Sequence, residues 1–211
     1  MPYLLNVSYA DKDEAKALGA FWTPERKSWV IPDHIEDINP FNKWMPNNLG
    51  CIVRKPYLLC LSKTNCWKCG NETPMVALAA KNYYYYEYTD INDPENDEQL
   101  WLKAKDPTLF SSVITTDKNV IEYLKQHYPF VKKVYSHTAQ ESYFGNTCII
   151  CGKLQGDFYH HEEPGGAFFP DPYEDIPTRI TFRLIDLDYD YNIEASYGGM
   201  AYDDLDFVSS P

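Results

Sequence analysis

Two short cysteine pairs are the residues of this sequence whose types and spacing could do chemistry. Cys66 and Cys69 lie in the stretch TNCWKCGNET, and Cys148 and Cys151 lie in a second C-x-x-C-G segment. Each spacing lets two thiolates reach one ion from a tight turn, and the glycine that follows can adopt a positive φ, so that backbone N–H groups point at the sulfurs. Two such turns predict a closed four-cysteine site for one structural zinc ion.

A redox function is the weaker interpretation of these cysteines. A thioredoxin-like site uses a single C-x-x-C pair that opens a helix after a strand, whereas this chain has two matched pairs. Residues 70–147 separate the pairs, which is far more than the roughly 15–20 residues of a compact zinc ribbon. The ion would therefore join two distant parts of a larger domain. Because four sulfurs leave no open coordination position, we expect the ion to stabilise the fold and not to activate water.

Charge and aromatic content indicate what the surface can bind. The chain has 211 residues, a net charge of −12 and 18 tyrosines. Residues 171–211 contain ten acidic and two basic side chains, a balance that repels phosphate backbones and anionic membranes and suits a basic protein partner. The N-terminus lacks the pattern of a signal peptide, and no run approaches the roughly 20 apolar residues of a membrane span, so we expect a cytoplasmic protein.

The hydrophobic pattern predicts an α+β protein in which a small module precedes a larger, β-rich domain. We place the module at residues 1–50 and expect a strand, a helix opened by a capping box of Asp11 with Glu14, and a hairpin. Residues 51–211 are expected to form a zinc-ribbon-containing domain with acidic C-terminal strands. The elements predicted for this domain are strands at 57–61, 75–80 and 131–136 and a helix at 119–128 that has Asp117 as its N-cap.

The N-terminal sequence carries a recognisable pattern between Leu5 and Pro32. It reads L-N-V-x-Y-x-D-K-D-E-A-K-x-L-G-A, then W-x-P-E-R-K-x-W and a closing proline. This pattern resembles a small family of unknown function whose members occur alone or fused to plasmid primases of the TraC type and other mobile-element proteins. The resemblance implies a small α+β module with a link to nucleic-acid enzymes. The segment Ser142–Pro170, with its C-x-x-C-G-x-L-Q-G-D block, resembles uncharacterised bacterial proteins, which implies zinc and a bacterial origin.

An alternation of acidic and apolar residues at 186–194 provides a candidate partner surface. We predict a half-buried strand whose carboxylates point outward about 6.6–6.8 Å apart. A calcium-binding EF-hand loop is excluded because its sixth position is Tyr191 and not glycine. Such a ladder either keeps the strand edge from aggregating or docks a basic partner, and both interpretations stay open. With the tyrosine run at 83–86, the candidate partner-binding residues are Asp186, Asp188, Asp190, Tyr189, Tyr191, Tyr84 and Tyr86.

The remaining polar clusters do not indicate a catalytic site. His160, His161, Glu162 and Glu163 are neighbours in sequence, so their side chains point in different directions and we expect a solvent-facing turn. The sequence has no readable Ser/His/Asp or Cys/His triad, phosphate-binding loop or dinucleotide fingerprint.

These features predict a non-catalytic, zinc-stabilised binding protein. A bacterial immunity protein that neutralises a basic toxin through an acidic, tyrosine-rich surface fits this description. The alternative is a nucleic-acid accessory protein of a mobile element, which would need a basic, aromatic patch. The lysines that could form such a patch are Lys125, Lys132, Lys133 and Lys153.

Overall fold

Strands dominate the part of the chain that the computed structural model describes, which is residues 2–45, 50–88, 99–169 and 180–199. The arrangement is α+β, as predicted. Of the predicted acidic C-terminal strands, the alternating segment at 186–194 is a strand only from Tyr191 onward, and residues 200–211 lie outside the described part of the chain. The described strands are β1 (Tyr3–Leu5), β2 (Phe21–Thr23), β3 (Ser28–Ile31), β4 (Cys51–Val53), β5 (Tyr57–Asn65), β6 (Glu72–Ala80), β7 (Tyr83–Tyr88), β8 (Gln99–Lys103), β9 (Thr108–Thr116), β10 (Val131–Ser136), β11 (Glu141–Asn146), β12 (Thr181–Ile185) and β13 (Tyr191–Gly199). The described α-helices are α1 (Lys12–Ala17), α2 (Lys118–His127) and α3 (Asp157–Glu162).

The N-terminal module has the predicted order of strand, helix and hairpin. Its three strands form an antiparallel sheet in the order β1-β3-β2, and Gly19 turns the chain out of α1 with a φ of 100°. The predicted capping box is wrong. The Asp11 carboxylate accepts hydrogen bonds from the Ser8 hydroxyl at 2.8 Å and from the Trp44 indole at 3.2 Å, and these partners take it away from the N–H groups of α1.

The larger sheet is antiparallel at every described pairing, and its order is β12-β5-β6-β9-β13-β4-β7-β8. Strand β11 pairs with β10 and also with β9. Residues alternate between two cores along the central strands, since Leu59 and Leu78 pack into one apolar cluster and Leu58 and Cys60 into another. Strands covered on both faces are apolar at consecutive positions, which explains the continuous runs that predicted β5 and β6.

The module packs directly against the larger sheet. Phe41 and Trp44 share an apolar cluster with Ile52 of β4. The buried Arg54 donates to the carbonyl oxygens of Ile35 at 2.8 Å and Pro32 at 3.0 Å. These contacts make one continuous interface across the predicted boundary at residue 50.

The predictions for helices in the larger domain are confirmed only in part. Val120 and Leu124 of α2 are buried, but the Asp117 carboxylate accepts hydrogen bonds from the backbone and side chain of Asn192 and does not cap the helix. The solvent-facing turn expected at residues 160–163 is wrong, because α3 carries His160 into the interior. No helix in the described part of the chain combines the length and the apolar character that crossing a bilayer requires.

Candidate metal centre

Each cysteine pair occupies a turn between two residues that pair as strands. Asn65 pairs with Glu72 at the end of the β5–β6 hairpin, and the first turn lies between them. Thr147 pairs with Leu154 in an isolated bridge just after β11, and the second turn lies between these two. Both turns therefore contain six residues, with the cysteines at the first and fourth positions.

The two turns repeat the same backbone hydrogen bonds. In each, the first cysteine N–H donates to the carbonyl at the sixth position, and the glycine N–H donates to the carbonyl of the first cysteine. The glycines have φ of 72° and 70°, so the positive φ predicted at both positions is confirmed. The bonds are Cys66 to Asn71 at 2.9 Å, Gly70 to Cys66 at 2.9 Å, Cys148 to Lys153 at 2.8 Å and Gly152 to Cys148 at 2.9 Å.

The four sulfur atoms lie close together, within 4.8 Å of one another. The distance between the Sγ atoms of Cys66 and Cys151 is 3.6 Å, and that between Cys69 and Cys148 is 3.7 Å. A tetrahedral ion with metal–sulfur bonds of about 2.3 Å places its sulfurs about 3.8 Å apart, whereas a disulfide needs about 2.05 Å. The predicted meeting of the two pairs is confirmed, and the cage could hold a metal ion.

Backbone N–H groups favour thiolates in the cage. The N–H of Lys68 lies 3.4 Å from the Cys66 sulfur, and the N–H of Ile150 lies 3.4 Å from the Cys148 sulfur. Burial raises the pKa of Cys66, but hydrogen bonds from the N–H groups of Cys69 and Lys68 and from the Cys151 and Cys148 thiols together bring that pKa down to about 6. At Cys151 the Lys153 N–H lowers the pKa, but burial and the three neighbouring sulfurs raise it to about 11, so the four sulfurs share protons in the absence of an ion. Thiolates are the form that binds a metal ion.

Two polar residues that the sequence did not mark hold the cage in place. The buried Gln155 donates its amide to the Cys66 sulfur at 3.4 Å and to the Lys153 carbonyl at 2.8 Å. The buried Asn146 bonds both the N–H and the carbonyl of Val76, at 2.9 and 3.0 Å, and so fixes the end of β11 against β6. Gln155 lies in the C-x-x-C-G-x-L-Q-G-D block, and this pattern could have marked it as part of the site. No sequence pattern marks Asn146.

The prediction of the partner surface is partly wrong. Asp190 is 1% exposed because it accepts hydrogen bonds from Arg54 at 2.9 Å and from the Tyr57 hydroxyl at 2.7 Å. Tyr191 is fully buried at the start of β13, and Tyr84 is buried with its hydroxyl bonded to the Glu36 carbonyl. These three residues belong to the interior.

The outer part of the predicted surface remains accessible. Residues 186–190 form the connection between β12 and β13 and not a strand, and within it Asp186 and Asp188 are exposed. Tyr189 is half-buried beside the Arg26 guanidinium, which lies 5.3 Å from the ring centroid. Tyr86 is half-buried on β7, with its ring centroid 4.5 Å from that of Trp101.

Comparison with known proteins identifies relatives of the N-terminal module. Residues 3–46 match a family described as a domain of unknown function, DUF5710. Two DNA primases named TraC from Escherichia coli are 50% and 48% identical to this chain over 40 residues. These segments are 19% of this chain and only 3% and 4% of the primases. No solved structure matches the chain. These matches support the resemblance stated for the N-terminal module. The resemblance of the second cysteine segment to uncharacterised bacterial proteins stays a prediction.

Proposed function

We propose that the protein is a non-catalytic binding protein whose fold is stabilised by one zinc ion. The single observation that carries this proposal is the closed cage of four sulfurs, because an ion with four cysteine ligands has no position left for water or substrate. Thiolate ligands in tetrahedral geometry favour zinc over harder cations such as magnesium or calcium. The ion would tie the β5–β6 hairpin to the segment after β11, and its contribution would be rigidity.

The charge of the molecule supports a basic protein as the partner. The net charge is −12. The exposed Asp188 and Glu122 lie near the half-buried Tyr189, and the exposed Asp186 lies on the same connection between β12 and β13. An acidic field of this kind speeds encounters with basic proteins and opposes phosphate backbones. We propose that the bound protein is a basic toxin and that this chain acts as the immunity protein against it.

Binding kinetics with the product of the neighbouring reading frame test this proposal. We expect a complex whose association rate falls steeply with salt, and we expect Asp186→Asn with Asp188→Asn to slow association about tenfold. Asp106→Asn with Glu141→Gln is the matched control, because it removes the same charge from exposed positions elsewhere. Equal association rates for the two double variants would refute the assignment of this surface.

A second candidate function follows from the comparison with the two DNA primases. Identity of 50% over 40 residues supports a nucleic-acid accessory protein of a mobile element. The exposed Lys68 and Lys153 lie within the two cysteine turns, so positive charge is available beside the metal centre. Gel-shift assays at low salt with single- and double-stranded DNA and RNA test this function, and a lack of retention for all four would remove it.

A further inference from the structure

A groove of about 640 Å³ opens beside the first cysteine turn. Its volume falls within the roughly 300–1,000 Å³ of small-molecule sites in proteins. One wall comes from the β5–β6 hairpin and its turn, and the other comes from the start of α3 and the loop after that helix. Its lining includes Lys63, Trp67, Glu72, Gln155, Tyr159 and His160.

Two aromatic side chains on the walls of this groove face solvent. Trp67 is 68% exposed and Tyr159 is 52% exposed. The indole N–H of Trp67 donates to the Leu154 carbonyl at 2.8 Å, so the ring is held in one orientation across the two cysteine turns. A large aromatic ring that is both fixed and exposed is a typical stacking platform for a planar ligand.

His160 directs a hydrogen-bond donor into the groove. Its side chain is 5% exposed, and its Nδ1 accepts from the Ala167 N–H at 3.3 Å, which places the ring proton on Nε2. Burial lowers the pKa of His160 to about 4, so the ring is neutral at pH 7. No residue in the described part of the chain accepts a hydrogen bond from Nε2. This nitrogen is not among the fully buried polar atoms that lack a partner, so it contacts solvent in the groove that His160 lines and is available to a ligand.

Gln155 supplies an acceptor in the same groove. Its amide nitrogen is identified by the bonds to the Lys153 carbonyl and the Cys66 sulfur, which fixes the orientation of the amide. Gln155 is 1% exposed, and no described residue donates to its side-chain carbonyl oxygen. That oxygen is not among the fully buried polar atoms that lack a partner, so a small part of it contacts solvent. The groove therefore presents one fixed donor and one fixed acceptor, which is the combination that recognises the edge of a nucleobase.

A cation at the rim can exchange its partner at little cost. Lys63 and Glu72 form an ion pair at 2.8 Å, and both side chains are more than half exposed. Exposed pairs of this kind contribute little to stability. The ammonium group can therefore turn to a phosphate that follows a bound base.

We propose that this groove binds a nucleobase, with the ring stacked on Trp67 and Tyr159 and the base edge bonded to His160 and Gln155. The base can belong to a single-stranded nucleic acid or to a free nucleotide, and the proposal rests on the second candidate function above. Stacking dominates and few cations contact phosphate, so the affinity for a strand falls only shallowly with salt.

Fluorescence anisotropy with labelled 12-nucleotide strands of thymidine or adenosine, using the metal-loaded chain, tests the proposal. We expect Trp67→Ala to weaken binding about tenfold or more and Trp67→Phe to retain most of it. We expect His160→Leu to weaken binding about fivefold, whereas His160→Gln, which keeps a donor near the Nε2 position, retains it. Tyr135→Ala is the matched control, because this tyrosine is 51% exposed on β10. Metal content and circular dichroism verify that each variant is folded.

Competition by AMP, GMP, CMP and UMP distinguishes the two sources of the base. Competition by nucleotides supports a mononucleotide site, and strand binding without competition supports a strand site. If Trp67→Ala and His160→Leu leave strand binding unchanged, the assignment of the groove as the nucleobase site is wrong, whereas the second candidate function still stands. No binding of strands or nucleotides would overturn the proposed nucleobase site, and the gel-shift assays with all four nucleic acids would then decide the second candidate function separately. A shift of the Trp67 indole resonance by a lysine-rich peptide, with none by nucleotides, would make the groove a peptide site and would also overturn the proposal.

Discussion

Removal of the metal ion should destabilise the whole β-rich domain. The cage joins two turns that are separated by the 78 residues from 70 to 147. A cross-link around a loop of this length lowers the entropy of the unfolded chain, which corresponds to about 4.5 kcal/mol of stabilisation. Measured disulfide cross-links stabilise proteins by about 2–4 kcal/mol. We therefore expect the free energy of unfolding to fall by about 2–4 kcal/mol on chelation.

Urea unfolding of metal-loaded and chelator-treated protein measures this loss. With a typical slope of about 2 kcal/mol per molar urea, the midpoint should fall by about 1–2 M. The same loss is expected for Cys69→Ser, which removes one ligand. Cys60→Ala is the control, because Cys60 is buried in an apolar cluster away from the cage, so this variant should keep one equivalent of metal.

Two results would refute the structural function of the cage. One is purified protein that holds far less than one equivalent of metal and takes up none on addition of zinc. The other is a pair of unfolding curves that coincide with and without bound metal. In the second case the strand pairing of β5, β6, β9 and β11 would hold the two turns together without the ion.

Three further perturbations test the interior. Asp190→Asn removes the buried carboxylate that pairs with Arg54 at 2.9 Å and leaves Arg54 only the exposed Asp33 carboxylate at 3.6 Å, so the free energy of unfolding measured in urea should fall by about 3 kcal/mol; a loss below about 1 kcal/mol would contradict this. Burial raises the pKa of Asp157 from 3.8 to about 6, so the protonated form is favoured in the folded state, and its stabilisation, fully present below pH 3.8, is lost as pH rises through 6. Between pH 3.8 and 6, the free energy of unfolding of the wild type should fall by about 3 kcal/mol more than that of Asp157→Asn. Parallel profiles of unfolding free energy against pH for the two proteins would refute the assignment. Asn146→Leu leaves the N–H and carbonyl of Val76 unbonded and should cost about 2 kcal/mol or more; hydrogen exchange at that N–H should accelerate, and unchanged protection would contradict the contact.

Errors in the sequence-based prediction occur where a polar side chain has a distant partner. Asp11 and Asp117 stand at correct helix starts, but their carboxylates bond Trp44 and Asn192. Asp190 continues an alternating pattern that predicts exposure, yet Arg54 lies far from it in sequence and holds it inside the protein. Local patterns report which residues are polar and how they are spaced. They do not report which polar group across the fold will satisfy them.

The sequence by itself determined the short-range features of this protein. The turns at residues 66–71 and 148–153, the strands β5 and β6 and the N-terminal module depend on contiguous residues, so spacing and apolar runs were sufficient to predict them. The tertiary structure alone decided that Trp67, Gln155 and His160 line one groove and that Asn146 bonds β6. These residues meet because antiparallel pairing brings distant segments together, and strand order and register arise from packing over the whole sheet.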